Sequence, residues 1–460
     1  MTLIKSISGI RGTIGGTPGE GLTPIDTVRF ASAYGEWLKR RFPGRRLRVV
    51  TGRDARISGP VISDLVKSSL ISMGIDVTDI GPATTPTTEI AVTGLKADGG
   101  IIITASHNPA QWNALKLLNE MGEFLSDSDG KELLQLAHND DFTYCDVYEL
   151  GTITDDDSWN EKHIQLVLKC DYVNIPAIKA ANLTVVADCV NSVGGLVVPE
   201  LLQRLGVKRV IPLYCEPNGR FPHNPEPLPE NLRELSATVV REGADLGLSV
   251  DPDVDRLALV CENGEMFGEE YTLVAVSDYI LGLTPGNTVS NMSSSKALSD
   301  ITLSHGGSYF SSPVGEVNVV AEMKRCNAVI GGEGNGGVIL PSLHYGRDAL
   351  AGIALFLSYL AVKGIKVTAM KQSYPQYVIS KNKVELDSGM NIAEIYSRLK
   401  EKYSDREIDC RDGIKIMNKN GWVHLRSSNT EPIIRIYSEA PTAEEADSNA
   451  NEIRDFVKKA

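Results

Sequence analysis

The chain is predicted to be an α/β protein, with three similar α/β domains on mixed or parallel sheets followed by a smaller α+β domain. Three observations predict it. One arrangement occurs three times: a short β-branched run, a polar loop, an amphipathic helix, a glycine and another strand. The copies start roughly 100–140 residues apart, too far for a solenoid repeat and suited to separate domains. From about residue 372 onward the pattern changes to strands and helices without that repeat.

The first copy runs from the strand Leu47–Val50 through a helix predicted over Val61–Met73 to Gly74 and the strand Ile75–Val77. Val61, Ile62, Leu65, Val66, Leu70 and Met73 share one face of that helix. The second copy runs from Leu183–Val186 through Val193–Leu205 to Gly206 and Val210–Leu213. The third runs from Asn287–Val289 through Ser294–His305 to Gly306 and Tyr309-Phe310. Each glycine falls where a helix C-cap is expected. In the last segment, strands at Tyr377–Val384 and Val423–Leu425 alternate with helices at Ile392–Tyr403 and Glu444–Lys459. The expected domains are residues 1–150, 151–255, 256–368 and 372–460.

Composition narrows the function. A formal charge of −13 excludes the broad basic face that nucleic acid or an anionic membrane requires. An anionic substrate must then be held by local arginines and backbone N–H groups. The seven cysteines are odd in number, scattered and without a C-x-x-C pair, which predicts reduced thiols and no zinc site. Residues 1–16 lack a signal-peptide pattern. The apolar run Ala349–Val362 is too short to span a bilayer and reads as a core helix, so the expected location is cytoplasmic.

Four loops can carry chemistry. Thr104-Ala-Ser-His-Asn-Pro109 follows the strand-like Gly99–Ile103, which places Ser106 past the carboxyl end of a buried strand, where α/β sheets bind ligands. Asn108-Pro109 enforces a turn, with simple turn chemistry as the competing reading. Adjacent residues do not normally aim their side chains at each other, so a catalytic triad through Ser106 and His107 is not expected. Asp251-Pro-Asp-Val-Asp-Arg256 follows the apolar Leu246–Val250. Its three alternating carboxylates can converge on one hard cation, Mg²⁺ being usual beside a phosphate. An EF-hand is excluded because Arg256 occupies the position of its obligatory glycine and Leu257–Val260 reads as a strand. The competing reading is a solvated acidic turn.

Gly331-Gly-Glu-Gly-Asn-Gly-Gly337 allows close backbone approach to a ligand, and Glu333 with Asn335 can hold sugar hydroxyls; a flexible turn competes with that reading. Arg426-Ser-Ser-Asn-Thr-Glu-Pro432, with Arg435 beyond it, has the donors of a phosphate cradle.

In this order and spacing the loops resemble the α-D-phosphohexomutase family across essentially the whole chain. That family has a phosphoserine loop like T-A-S-H-N-P, a D-x-D-x-D-R metal loop, a G-E-x-S-G-H sugar loop and an R-x-S-N-T-x-P phosphate loop. Gly9-Ile-Arg-Gly12 resembles its I-R-G segment, which implies Arg11 in the site, and Asn113-Ala-Leu-Lys116 matches its post-loop lysine. The resemblance implies a TATA-binding-protein-like fourth domain and an intramolecular phosphotransferase of the isomerase class. Ser106 would carry a phosphoryl group and, with Asp251, Asp253 and Asp255, bind one Mg²⁺ per chain. Arg11, His107 and Lys116 would join the catalysis, Lys116 foremost for acid–base work on the hydroxyl. Arg256, Glu333, Asn335, Arg426, Ser428, Asn429, Thr430 and Arg435 would bind substrate. The implied partners are a phosphosugar and a hexose 1,6-bisphosphate intermediate, with neither nucleic acid nor membrane, and the chain would be a monomer or homodimer.

The sequence departs from the family at three points. Asn335 stands where serine is common, Gly337 where histidine is common, and Pro313-Val-Gly-Glu316 carries a glutamate where mannose- and glucose-acting members tend to have histidine. The last feature resembles the phosphoglucosamine branch and implies glucosamine 6-phosphate and glucosamine 1-phosphate as the pair. The phosphomannomutase/phosphoglucomutase branch is the alternative. Two other classes stay open on the residues alone: a haloacid-dehalogenase-type phosphatase with Asp251 as nucleophile, and a non-catalytic sugar-phosphate binding protein.

Overall fold

A computed structural model describes residues 2–6, 9–385, 391–427 and 433–458. The chain divides into two compact units, Met1–Thr272 with Asn335–Met370, and Leu273–Gly334 with Lys371–Ala460. This division cuts through the expected third domain, 256–368, whose residues 273–334 fall in the second unit and the rest in the first.

The first unit holds two sheets. One has seven strands in the order Ile4–Ser6, Gly9–Thr13, Trp112–Leu118, Gly99–Ile103, Arg48–Arg53, Asp76–Pro82, Ile153–Asp155. Its centre is parallel, where strand–helix–strand crossovers connect the strands, and it turns antiparallel from Gly99–Ile103 outward to Ile4–Ser6. The other has the order Leu257–Cys261, Leu246–Val250, Thr184–Asp188, Arg209–Leu213, antiparallel only at its first pair. Gly99–Ile103 and Leu246–Val250 are buried at every position, as their continuous apolar runs require. The serine loop follows the first of these strands and the acidic loop the second.

In the second unit three parallel strands lie in the order Tyr309–Ser312, Asn287–Asn291, Ala328–Glu333. A five-stranded antiparallel sheet has the order Val378–Glu385, Ile433–Ala440, Gly421–Ser427, Ile414–Asn418, Ile408–Asp409. Helices Ile392–Lys402 and Ala443–Lys458 cover it, with Leu399, Ala450, Ile453 and Val457 packed among Leu425, Ile434 and Ile436. Three α/β segments and an α+β segment are thus present, as expected.

The repeated helices start and stop for local reasons. The first spans Gly59–Ile71, because Pro60 in its first turn needs no N–H partner. The second, Gly194–Leu205, ends on Gly206 in the left-handed region, as predicted. The third is shorter than expected, Ala297–Ser304, because Ser294 and Ser295 make turn bonds instead. Gly74 and Gly306 lie beyond their helix caps, though both take positive φ. The apolar run is the helix Ala349–Lys363, buried from Ala349 through Leu360. Among the described residues no helix is long and apolar enough to cross a membrane, and the seven cysteines are free thiols.

Asp348 closes the N-terminus of that helix and anchors a buried polar network in the first unit. Its Oδ1 accepts the N–H groups of Leu350 and Ala351, and its Oδ2 lies 3.0 Å from His163 Nε2 and 3.4 Å from His344 Nε2. His344 Nδ1 lies 3.3 Å from Glu89 Oε2. Burial pulls the His344 imidazolium down, but Asp348 and Glu89 together outweigh it and raise its pKa to about 10. A histidine whose pKa rises on folding contributes its full stabilisation below its unfolded value, about 6.5, and loses it as pH climbs toward 10. Urea unfolding between pH 6.5 and 9.5 should therefore show the wild type losing a few kcal/mol more than His344→Gln. Parallel pH profiles for the two proteins would refute this.

Candidate active site

Ser106 sits three residues past the strand Gly99–Ile103 with φ of +49°, in the left-handed region. Its N–H donates to Thr104 Oγ1 (3.0 Å), and that hydroxyl donates to Asp54 Oδ2 (2.7 Å). Ser106 Oγ donates to Asp251 Oδ2 at 2.8 Å, and His107 Nδ1 lies 3.3 Å from Ser106 Oγ. The expectation that adjacent side chains would not meet is corrected here, because the positive φ turns the serine out of extended geometry. No Ser-His-Asp triad follows from the contact, since the hydroxyl donates directly to the carboxylate. Burial, and then the positive charge of Arg256, hold the His107 imidazole well below its ordinary pKa.

The acidic loop is no solvated turn. Asp251, Asp253 and Asp255 are fully buried, and one carboxylate oxygen from each lies within 4.8 Å of the others. Val254 between the last two has φ of +62°, a conformation β-branched residues rarely adopt, at a cost of about 1–3 kcal/mol. Asp251 Oδ1 accepts the N–H groups of Asp255 and Arg256, both at 3.2 Å. Asp253 Oδ2 accepts from Thr85 Oγ1 (2.6 Å) and Lys116 Nζ (2.7 Å). Asp255 Oδ2 accepts from Arg347 Nη2 (2.6 Å) and Lys116 Nζ (3.4 Å). Asp253 Oδ1 and Asp255 Oδ1 are buried with no hydrogen-bond partner among the described residues. Burial, then repulsion from Asp253 and Asp255, raise Asp251 well above the usual carboxylate range. Two orphaned carboxylate oxygens beside a third carboxylate and a hydroxyl form an all-oxygen donor set suited to a hard divalent cation.

Cations surround this cluster. Burial pulls the Lys116 ammonium down, but Asp253 and Asp255 outweigh it and keep the group charged. Arg11 faces Ala114 across the antiparallel pair, so Arg11 and Lys116 project from the same sheet face. Burial and Arg256 lower Arg11, and Asp253 raises it. Arg256 Nε, 3.9 Å from Asp255 Oδ1, is buried and has no hydrogen-bond partner among the described residues. Asn335 Oδ1 accepts the N–H of Gly337, and Gly336 accepts the N–H of Leu257.

The remaining expected residues belong to the second unit. Glu333 Oε1 accepts from Asn291 Nδ2 (2.8 Å) and from the N–H of Gly315 (3.2 Å). Arg426 and Arg435 stand directly opposite each other on neighbouring strands, and Arg426 Nε lies 3.7 Å from Asp412 Oδ2. Like charges directly opposite repel, so this pair suits an anion. Ser428, Asn429 and Thr430 lie outside the described residues. Sequence reasoning missed Thr85, Arg347, Asp54 and Arg56, which reach the site from distant segments. The only signal in the sequence is the charged run Arg53-Asp-Ala-Arg56 beside a strand end.

Residues 3–144, 161–264, 268–377 and 383–456 match the family models of Phosphoglucomutase/phosphomannomutase, respectively alpha/beta/alpha domains I, II and III and the C-terminal domain. The chain belongs to this phosphohexomutase family. A phosphoglucomutase/phosphomannomutase of Thermococcus kodakarensis is 37% identical over 441 residues, 95% of each chain. A probable phosphoglucosamine mutase of Methanopyrus kandleri is 34% identical over 457 residues, 98% of this chain and 97% of that one. The solved structure of a phosphoglucomutase/phosphomannomutase family protein from Burkholderia thailandensis shares the fold. Its TM-score is 0.86 at 24% identity, covering 100% of this chain and 98% of that chain. The protein is therefore a phosphohexomutase, an intramolecular phosphotransferase, and the haloacid-dehalogenase reading falls away.

Asp253→Asn removes charge from the cluster and an acceptor from Lys116 and Thr85. Mg²⁺ affinity measured by isothermal titration should fall at least about 10–100-fold, and activity should recover in part at high Mg²⁺. Full wild-type activity in excess chelator would show that the cluster holds no essential cation.

Proposed function

We propose that this phosphohexomutase interconverts glucosamine 6-phosphate and glucosamine 1-phosphate through a phosphoserine at Ser106. The observation that carries the mechanism is the Ser106 hydroxyl 2.8 Å from Asp251, in a cluster where two carboxylate oxygens have no hydrogen-bond partner among the described residues. In the first step a sugar hydroxyl oxygen forms a bond to the phosphorus as the bond from Ser106 Oγ breaks, leaving a 1,6-bisphosphate. After the bisphosphate turns around, Ser106 Oγ takes the other phosphoryl group and the sugar oxygen leaves. Each step moves one proton from the attacking oxygen and returns one to the leaving oxygen. His107, beside Ser106 Oγ, and Lys116, between Asp253 and Asp255, are the groups we assign to that traffic.

Phosphoryl transfer needs positioning and charge neutralisation more than covalent help from the protein. Arg11, Arg256 and Lys116 supply fixed positive charge. Asp251, Asp253, Asp255 and Ser106 would hold one Mg²⁺, which would neutralise charge developing on the transferring group. Arg426 and Arg435, with Ser428, Asn429 and Thr430, are assigned to the phosphate that does not react, and Glu333 with Asn335 to the sugar hydroxyls.

The glucosamine assignment rests on Glu316, a buried glutamate opening the helix Glu316–Cys326, which could face the sugar's ammonium, and on the relative from M. kandleri. The T. kodakarensis relative favours a second reading, glucose and mannose phosphates. Coupled turnover measured side by side on glucosamine, glucose and mannose 1-phosphates should give the glucosamine compound the highest kcat/KM, and Glu316→Gln should narrow its lead. A higher value for glucose or mannose would select the second reading.

Ser106→Ala should keep the fold and lower turnover by about 10⁴-fold or more, equivalent to at least about 5 kcal/mol in the barrier. Near-normal turnover in this variant would exclude the phosphoserine mechanism.

A further inference from the structure

Arg56 is the second largest of the fully buried side chains among the described residues, and its guanidinium reaches no solvent. A guanidinium has five N–H donors in a rigid plane, and here all five are used. Nε donates to Asp54 Oδ2 at 3.0 Å. Nη1 donates to the carbonyls of Pro109 (2.7 Å) and Trp112 (3.0 Å), and Nη2 to those of Ser106 and Asn108, both at 2.6 Å. The Phe221 ring lies over the guanidinium, 5.1 Å from centroid to Cζ. Three carbonyls of the serine loop and that of Trp112, which opens the next strand, therefore converge on one side chain, and the first of them belongs to Ser106 itself.

We propose that Arg56 is the positioning residue of the phosphohexomutase, clamping the loop so that Ser106 keeps its left-handed backbone and aims Oγ at the aspartates. The inference deepens the phosphoserine mechanism and rests on it. Arg56 does not touch substrate, because no donor remains free and no surface is exposed. It acts through the loop. Three connections make the clamp specific. Asp54, which orients Nε, also accepts from Thr104, and Thr104 accepts the N–H of Ser106. The turn around Arg56 is joined to the acidic loop as well: Ser192 Oγ accepts from the N–H of Ala55 (3.4 Å) and donates to the Pro252 carbonyl (2.6 Å). One turn thus sets nucleophile and metal ligands in a common frame, which the in-line geometry of phosphoryl transfer demands.

Lysine keeps the charge but brings three donors, so Arg56→Lys can remake at most three of the five hydrogen bonds. The variant should lose ten- to a hundredfold in kcat with KM changed less than threefold. Hydrogen–deuterium exchange should quicken at least tenfold across residues 105–113 and stay unchanged in the strand Gly99–Ile103. Phe221→Leu, which removes only the ring over the guanidinium, should lose three- to tenfold in kcat with the same exchange pattern, and it carries the test if Arg56→Lys does not fold. Active fractions are set by the mass of the enzyme phosphorylated with glucose 1,6-bisphosphate. Absence of phosphate on Ser106 in the wild type would overturn the phosphoserine mechanism but leave the exchange result to judge the clamp. Unchanged kcat and exchange in the folded variants, or a loss confined to KM, would overturn the clamp.

Discussion

Three carboxylates buried within 4.8 Å of one another impose the condition that the site must meet. At an effective dielectric of about 20, each such pair repels by roughly 3–4 kcal/mol, and removing the charges from water adds to the penalty. The protein offsets this with matched partners. Asp251 receives two backbone N–H groups and a hydroxyl, Asp253 a lysine and a threonine, Asp255 an arginine and the same lysine. The compensation is incomplete: one oxygen each of Asp253 and Asp255 has no donor among the described residues. With Lys116, Arg347 and Arg256 the local charge is close to neutral. A phosphoserine dianion and a divalent cation can then enter together without upsetting that balance.

The same condition explains why the loops are tied to distant parts of the chain. A carboxylate cluster aimed at a cation must be rigid, or the side chains would swing apart. Strand Leu246–Val250 fixes one end of the acidic loop, and the Thr85 N–H holds the Asp253 carbonyl from the start of another helix. Both the serine loop and the acidic loop carry backbone strain, at Ser106 and Val254, and such strain persists only where neighbouring contacts determine the conformation. The Arg56 carbonyl clamp and the Ser192 bridge are contacts of that kind.

Much of this was legible in the sequence, and the missing parts share a cause. The strand–loop–helix repeats, the buried strands before residues 104 and 251, and the convergence of alternate aspartates follow from local pattern, and all are found. The contact between Ser106 and His107 was not legible, because spacing reports ordinary backbone geometry and the serine has positive φ. Thr85, Asp54, Arg56 and Arg347 were not legible either. Each acts across a separation of tens of residues or more, and an isolated threonine or arginine gives no periodic signal. The shortened helix at Ala297 has a local reason, since the serines before it bond to the backbone and to Asn291 rather than continuing the helix.

Gly337 and Arg347 show what the departure from the family pattern at residue 337 makes room for. A Cβ placed on Gly337 would overlap the Arg347 side chain at Cδ. Arg347 follows that path to reach Asp255 Oδ2 at 2.6 Å. The glycine that replaces the family's common histidine is thus the residue that makes room for the arginine. A histidine there would displace an ion pair to a buried carboxylate, and removing one partner of such a pair typically costs about 3–5 kcal/mol. Conversely, an arginine at 347 supplies a permanent charge to the aspartate cluster, which a histidine provides only when protonated. The glycine and the arginine therefore act as one structural unit in this chain.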